Sequence, residues 1–211
     1  MRKVNYDRIT PYYDFLSRLV FQDNQRKPQY AQLNFLKNDD RMLIVGGGSG
    51  WILEAIYELK LSGLEVIYLE HSESMLYKSK YRNTGNLNVK FIHLDVELFQ
   101  EDKKFDVIMT PFLFDNFKQE KATKVFSILD DLLKEDGHWF HADFTHDTKG
   151  GWWKEIIINL MYRFLRMWSA VDHSEFVDMS PIFDSFGYEL IWKQFYFSKF
   201  IYGKVYRKNS V

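Results

Sequence analysis

The sequence predicts an α/β fold in which helices cover both faces of a mainly parallel sheet, and two observations predict it. The first is a strand, turn and helix unit. An apolar run at residues 42–45 leads into the glycine cluster at 46–50, and apolar residues then recur at helical spacing from Trp51 to Leu59. The second is the alternation of strand-like and helix-like segments from residue 42 onward.

Hydrophobic periodicity places the elements along the chain in order. The helices are expected near residues 12–21, 25–36, 50–61, 72–81, 118–134 and 179–186. The strands are expected at residues 42–45, 64–70, 89–94, 105–110, 138–143, 188–197 and 200–207. No internal repeat or low-complexity tract interrupts this order.

Composition narrows the class of function. A chain of 211 residues is long enough for one domain with a full core. Lys and Arg total 28 against 29 Asp and Glu, so the near-neutral charge argues against a nucleic-acid partner. The absence of cysteine excludes disulfides, zinc thiolates and thiol catalysis, and no metal site is expected. The first residues contain no apolar signal core, which makes a cytoplasmic location the default.

The spacing of the glycines limits the ligand. In the dinucleotide fingerprint G-x-G-x-x-G, counting from Gly46 puts Trp51 in the place of the third glycine, and counting from Gly48 puts Leu53 there. No Gly-Lys-Ser/Thr follows, so the cluster is not a P-loop either. The remaining pattern is G-x-G-x-G at Gly46, Gly48 and Gly50. It resembles the first motif of the class I S-adenosylmethionine-dependent methyltransferases.

A carboxylate ends the next apolar run, because Glu70 closes the strand expected at 64–70. One carboxylate can accept hydrogen bonds from both ribose hydroxyls and so fix the register of a nucleoside. NAD and S-adenosylmethionine share this ribose, so Glu70 does not choose between them and the choice depends on the glycine spacing. Glu70 also has a purely structural interpretation, as a helix-capping acid.

Two further strand ends extend the resemblance, which covers residues 5–145 closely and the rest in outline. The run ending at Asp95 looks like the family's third strand, whose terminal Asp and the residue after it contact the adenine, and the run ending at Thr110 looks like the fourth. The resemblance implies a Rossmann-like three-layer sandwich with a mainly parallel seven-stranded sheet and one antiparallel strand, inserted by the final hairpin. It implies S-adenosylmethionine as the cofactor and S-adenosylhomocysteine as its product. The cofactor-binding residues it implies are Tyr13, Gly46, Gly47, Gly48, Ser49, Glu70, His71, Met75, Asp95, Val96, Thr110 and Pro111.

The N-terminal segment refines the resemblance and one position departs from it. The pair Tyr13 and Asp14 is similar to the N-terminal segment of the ubiquinone/menaquinone-type small methyltransferases, where it precedes a helix that covers the cofactor. Ile44 stands where the family has an acidic residue that helps to hold the turn and the methionine end of the cofactor. This departure leaves open a domain of methyltransferase ancestry that binds a cofactor or ligand without turnover.

A single methyltransferase domain is expected over residues 1–211, in four parts. They are an N-terminal helical cover at 1–40, a cofactor-binding core at 41–145, a substrate lid at 146–180 and a final helix and hairpin at 181–211. Residues 150–168 of the third part are expected to form a broad amphipathic helix. A lid or core packing is favoured for it over a subunit interface or a membrane-surface contact.

The methyl acceptor is expected beyond the fourth and fifth strands. Candidate acceptor-binding residues are Asp115, His141, Asp143 and, in the lid, Trp153, with His146 as a further candidate. No catalytic role is assigned, because methyl transfer depends chiefly on positioning. The sequence thus predicts methyl transfer from S-adenosylmethionine to a small, aromatic or apolar acceptor. An NAD-dependent oxidoreductase is disfavoured by Trp51, and the oligomeric state is left open.

Overall fold

The computed structural model describes residues 24–145 and 177–209. Seven strands in this part of the chain form one sheet: β1 (Arg41–Val45), β2 (Glu65–Glu70), β3 (Asn88–His93), β4 (Phe105–Pro111), β5 (Leu133–Phe144), β6 (Tyr188–Tyr196) and β7 (Ile201–Lys208). Five α-helices accompany them: α1 (Arg26–Gln32), α2 (Trp51–Glu58), α3 (Glu73–Lys80), α4 (Gln119–Leu132) and α5 (Ser180–Ser185). The expected helix at 12–21, the amphipathic segment at 150–168, and the candidates Tyr13, His146 and Trp153 lie outside the described residues.

The strand order in the sheet is β3-β2-β1-β4-β5-β7-β6. Strands β1 to β5 pair in parallel, whereas β7 is antiparallel to both of its neighbours, β5 and β6. The prediction of a mainly parallel sheet with one antiparallel strand is confirmed. Strand order reverses between β1 and β4, and ligands of open α/β sheets bind at the carboxyl ends of the strands beside such a reversal.

Two hydrophobic cores lie on the two faces of this sheet. Side chains alternate along β1, where Leu43 and Val45 join the core that contains α4 and α5, while Met42 and Ile44 join the core beneath α2. All four of these side chains are almost completely buried. A strand that is apolar on both faces is what a central parallel strand requires. The three-layer arrangement expected from the sequence is therefore confirmed.

Helix α4 ends earlier than its predicted limit of residue 134. Leu133 takes an extended conformation and pairs with Phe105, so the strand begins directly where the helix ends. The register between β4 and β5 then shifts between Phe105 and Val107, and within this irregular stretch of β5 Asp136 has a φ of 61°. Across residues 24–145 and 177–209, no helix is long and apolar enough to cross a membrane.

Gly203 on β7 allows helix α1 to lie against the sheet. A Cβ at this position would be 2.8 Å from Cβ of Pro28. We predict that Gly203→Ala lowers the free energy of unfolding by about 1–3 kcal/mol, because the added methyl overpacks this contact. Urea denaturation measures the change. Gln194 is the exposed partner of Gly203 on β6 and offers a control. Gln194→Ala should change the free energy of unfolding by less than about 0.5 kcal/mol. Equal effects of the two variants would contradict the prediction.

Candidate functional site

The glycine cluster turns sharply where β1 ends and α2 begins. Gly46, Gly48 and Gly50 have φ angles of 71°, 63° and 77°, which are in the left-handed region that favours glycine. The backbone N–H of Gly46 donates to the carbonyl of Leu69 at 2.9 Å, so pairing with β2 continues one residue beyond the strand. The turn is thereby fixed against the carboxyl end of β2.

The glycines of the turn differ in what surrounds them. A Cβ at Gly47 would lie 2.5 Å from the hydroxyl of Tyr68, and a Cβ at Gly50 would lie 2.5 Å from Cβ of Ser79. A Cβ at Gly48 would meet no atom within 4 Å. Gly48 therefore faces open space while its neighbours are closely packed. This exposed strip of backbone at a helix N-terminus suits the approach of a ligand.

Glu70 reaches this turn from the end of β2. Its carboxylate accepts the backbone N–H of Gly48 at 3.0 Å through Oε2 and that of Ser72 at 2.9 Å through Oε1. Burial raises the pKa of Glu70, and these N–H donors oppose the increase by stabilising the charged form. The carboxylate predicted to bind a ribose thus also links the glycine turn to the start of α3.

The next candidates lie around the end of β3, which pairs with β2. Nδ1 of His71 is 3.9 Å from Oδ2 of Asp95, and Oδ1 of Asp95 accepts the backbone N–H of Glu97. Val96 follows Asp95 and is nearly buried, as is Met75 on α3. Glu70, His71, Asp95, Val96 and Met75 are therefore neighbours at the carboxyl ends of β2 and β3. Asp95 also caps the short 3₁₀ turn Val96–Leu98.

Thr110 and Pro111 end β4, next to β1. The Thr110 side chain is fully buried, and its hydroxyl accepts the indole N–H of Trp139 at 2.9 Å. The same hydroxyl lies 3.5 Å from Nδ1 of His141. The hydroxyl of Thr110 therefore contacts side chains of β5 and not the glycine turn.

A ladder of polar side chains follows the carboxyl half of β5. The antiparallel register pairs His141 with Lys204 and Asp143 with Tyr202, so these side chains share one face of the sheet. Nε2 of His141 is 3.0 Å from the hydroxyl of Tyr202, and Nζ of Lys204 donates to Oγ of Ser180 at 2.6 Å. Burial, followed by the nearby Lys204 charge, lowers the pKa of His141 to about 3, so its ring is neutral at physiological pH.

Two carboxyl groups meet at the end of this ladder. Asp143 is 3% exposed, and its Oδ1 accepts the backbone N–H of Phe144 at 2.8 Å. Burial raises the pKa of Asp143 to about 7. Burial first, and then the charge of Asp143, raise the pKa of Asp115 well above its usual value. Oδ1 of Asp115 accepts from the Asn116 amide at 2.6 Å. The pair therefore retains a proton at neutral pH, as adjacent carboxyl groups with restricted hydration do.

The structure brings together the described candidates in two groups along the carboxyl edge of the sheet. One surrounds the glycine turn and the ends of β2 and β3, and the other lies at the ends of β4 and β5. Sequence reasoning missed Tyr68, Arg82, Tyr202 and Lys204. The first sits inside an apolar run and the last two lie in the final hairpin, whose partners are distant in sequence. No local pattern marks Arg82, although its guanidinium donates to the Ser49 carbonyl at 2.9 Å.

The sheet is open and mainly parallel, with a glycine turn after its first strand and an acid at the end of the second. This combination is typical of proteins that bind a nucleoside-containing cofactor. Comparison with known proteins specifies the class. Residues 42–137 match the family described as "Methyltransferase domain". This match agrees with the resemblance of the sequence to the class I S-adenosylmethionine-dependent methyltransferases, whose cofactor is S-adenosylmethionine.

One curated relative is also a methyltransferase. The chain is 30% identical over 107 residues to malonyl-[acyl-carrier protein] O-methyltransferase 2 of Ilyobacter polytropus. That match covers 51% of this chain and spans only 40% of the curated relative.

Solved structures share the fold. A putative methyltransferase in complex with the Haloferax volcanii Trm112 methyltransferase activator has a TM-score of 0.71 at 13% identity, over 100% of both chains. A SAM-dependent methyltransferase from Aquifex aeolicus has a TM-score of 0.58 at 17% identity, over 91% of this chain and 93% of its own.

The raised pKa of Asp143 predicts a pH-dependent cost in stability. The folded protein holds this proton up to about pH 7, whereas the unfolded chain releases it near the ordinary value of 3.8. The folded state therefore binds more protons between these values, and this group's contribution to stability falls as pH rises through that window. Asp143→Asn cannot ionise. Its stability relative to wild type should increase by up to about 4 kcal/mol between acid and mildly alkaline pH, measured by urea denaturation. A difference that is constant with pH would contradict this.

Proposed function

We propose that the protein transfers a methyl group from S-adenosylmethionine to a small, aromatic or apolar acceptor that carries an exchangeable proton. The observation that carries the proposal is the arrangement along one sheet edge. The glycine turn and Glu70 lie at one end of it, and the carboxyl pair of Asp115 and Asp143 lies at the other. Such an arrangement suits a donor nucleotide beside a proton acceptor.

The proposed cofactor site follows the strand tips. Glu70 retains lone pairs beyond those that accept the two backbone N–H groups, so its carboxylate can also accept ribose hydroxyls. Asp95 and Val96 would hold the adenine, with Met75 and His71 beside them. The open side of Gly48 would receive the methionine end. The further contacts proposed are from Gly46, Gly47, Ser49 and the backbone of Thr110 and Pro111, together with Tyr13 from the N-terminal cover.

Aromatic rings support the proposed acceptor class. Phe112 and Phe144 are 4.9 Å apart between ring centroids, and Phe114 and His141 are 5.7 Å apart. These rings flank the carboxyl groups at the ends of β4 and β5. An acceptor with an apolar or aromatic body and one polar end would match such surroundings. Trp153 is proposed to close the site from the lid segment.

The chemistry requires little more than placement and one proton transfer. S-adenosylmethionine, when bound, supplies an electrophilic methyl group. With that cofactor bound, the acceptor oxygen or nitrogen would gain the methyl group as the carbon–sulfur bond breaks and S-adenosylhomocysteine is released. The proton of the acceptor would pass to the ionised carboxylate of Asp143, while Asp115 keeps its own proton. A base whose pKa lies near 7 is suited to this exchange at physiological pH.

The alternative is a module of methyltransferase ancestry that binds a cofactor or ligand without turnover. Ile44, in place of the family's acid, favours this alternative. An NAD-dependent oxidoreductase is disfavoured by the glycine spacing. Calorimetric titration with S-adenosylhomocysteine and NAD distinguishes the oxidoreductase from the methyltransferase. An assay of methyl transfer then distinguishes the methyltransferase from the non-catalytic module. Binding of NAD alone would reject the proposal.

We predict that Glu70→Ala weakens S-adenosylhomocysteine binding by about a hundredfold. The variant removes two charge-assisted hydrogen bonds to the ribose and also releases the N–H of Gly48. Isothermal titration measures the affinity. Glu73→Ala is a matched control, because Glu73 is an exposed carboxylate in the first turn of α3. Unchanged affinity in Glu70→Ala would show that the cofactor binds elsewhere.

We predict that Asp143→Asn lowers turnover by about a hundredfold or more while S-adenosylhomocysteine affinity stays the same. The assay incubates the protein with tritiated S-adenosylmethionine and a panel of small hydroxylated, phenolic and amine acceptors, and counts the label in the products. The wild-type rate should rise with pH to a plateau through about pH 7, because Asp143 must be ionised to take the proton. Binding of S-adenosylhomocysteine without transfer to any acceptor would favour the non-catalytic module.

A further inference from the structure

We propose that Tyr68 replaces the missing acid of β1 as the residue that positions the glycine turn for the methionine end of the cofactor. This inference rests on the proposed function, since it concerns how that cofactor is held. Tyr68 is fully buried in the middle of β2, yet its hydroxyl donates to the carbonyl oxygen of Gly48 at 2.9 Å. Its phenol thus supplies a polar contact beneath the turn from within an apolar strand.

The contacts to Gly48 come in a pair from one strand. The side chain of Tyr68 holds the carbonyl of Gly48, and the carboxylate of Glu70 accepts its N–H at 3.0 Å. Both polar groups of this glycine are therefore fixed by side chains two residues apart on β2. Because Gly48 is the residue of the turn that faces open space, its orientation determines what backbone a ligand meets.

The sheet register explains why position 68 can take over from position 44. Ile44 and Tyr68 are direct partners in the parallel pairing of β1 and β2, and both side chains lie in the core beneath α2. A longer side chain on β2 can therefore reach the turn that an acid on β1 would have reached. Gly47 leaves room for the phenol, since a Cβ there would be 2.5 Å from its oxygen.

The phenol is also suited to its buried position. Ile44 and Tyr68 are completely buried, and the ring of Tyr68 is 5.6 Å from that of Phe91. An acid in this core would place a charge where desolvation is expensive, whereas a tyrosine hydroxyl adds a neutral donor. On the outer side, Arg82 donates to the carbonyl of Ser49 at 2.9 Å. Two successive carbonyls of the turn, those of Gly48 and Ser49, are thus each held by a side chain.

The test compares two ligands and two hydroxyl deletions by isothermal titration. Tyr68→Phe should weaken S-adenosylhomocysteine binding by about tenfold, the effect of one lost buried hydrogen bond, and change adenosine binding by less than about twofold, because adenosine lacks the methionine end. Tyr188→Phe is the matched control. It also removes a buried hydroxyl that donates a hydrogen bond, here to Asp130 at 2.6 Å, but it lies on β6. It should lower thermal stability and leave both affinities unchanged.

Each outcome supports or overturns the inference. A selective loss of S-adenosylhomocysteine affinity in Tyr68→Phe supports it. Unchanged affinity for both ligands overturns the role of Tyr68 and leaves the proposed function intact. An equal loss for both ligands overturns it as well, because Tyr68 would then support only the general shape of the pocket. A folded wild-type protein that does not bind S-adenosylhomocysteine overturns both this inference and the proposed function.

Discussion

The hydrogen bonds between β2 and the glycine turn are the constraint on which the rest of the site depends. Glu70 and Tyr68 hold the two polar groups of Gly48, and the N–H of Gly46 extends the backbone pairing to Leu69. A turn with positive φ angles has many alternative conformations, since glycine loses more conformational freedom on folding than other residues. These contacts select one of them. They place the open side of the turn at the carboxyl edge, where the other strand tips converge.

At the other end of the edge, burial rather than ion pairing governs the electrostatics. Burial is the largest influence on the pKa of His141, Asp143 and Lys204, and in each case it favours the neutral form. The groups are nonetheless hydrogen-bonded, His141 with Tyr202 across β5 and β7, Lys204 with Ser180, and Asp143 with the backbone of Phe144. Burial therefore sets the protonation tendency of each of these three groups more than any single charged neighbour does.

The strands and helices were predictable because their signals are local. Apolar runs and glycine or acidic strand ends placed β1 to β4 within one or two residues, and the structure confirms the sheet they form. The polar ladder was not predictable in the same way. His141 and Tyr202 are 61 residues apart, and their contact depends on a strand inserted between β5 and β6. Tyr68 was missed for another reason. A tyrosine within an apolar run is predicted to pack in the core. Only the folded structure shows that the hydroxyl of Tyr68 lies beneath the turn.

The sequence left a structural role and a ligand-binding role for Glu70 as alternatives, and the geometry makes two such roles compatible for Glu70 and for Asp95. Asp95 caps a 3₁₀ turn through Oδ1 while Oδ2 faces His71, and Glu70 holds two backbone N–H groups. An ionised carboxylate has about four acceptor sites, so one or two backbone bonds do not exhaust it. Those bonds instead fix the rotamer before any ligand arrives. The entropy of ordering these side chains is then lost during folding, so a nucleoside that binds where we propose would gain the hydrogen bonds without a further ordering cost.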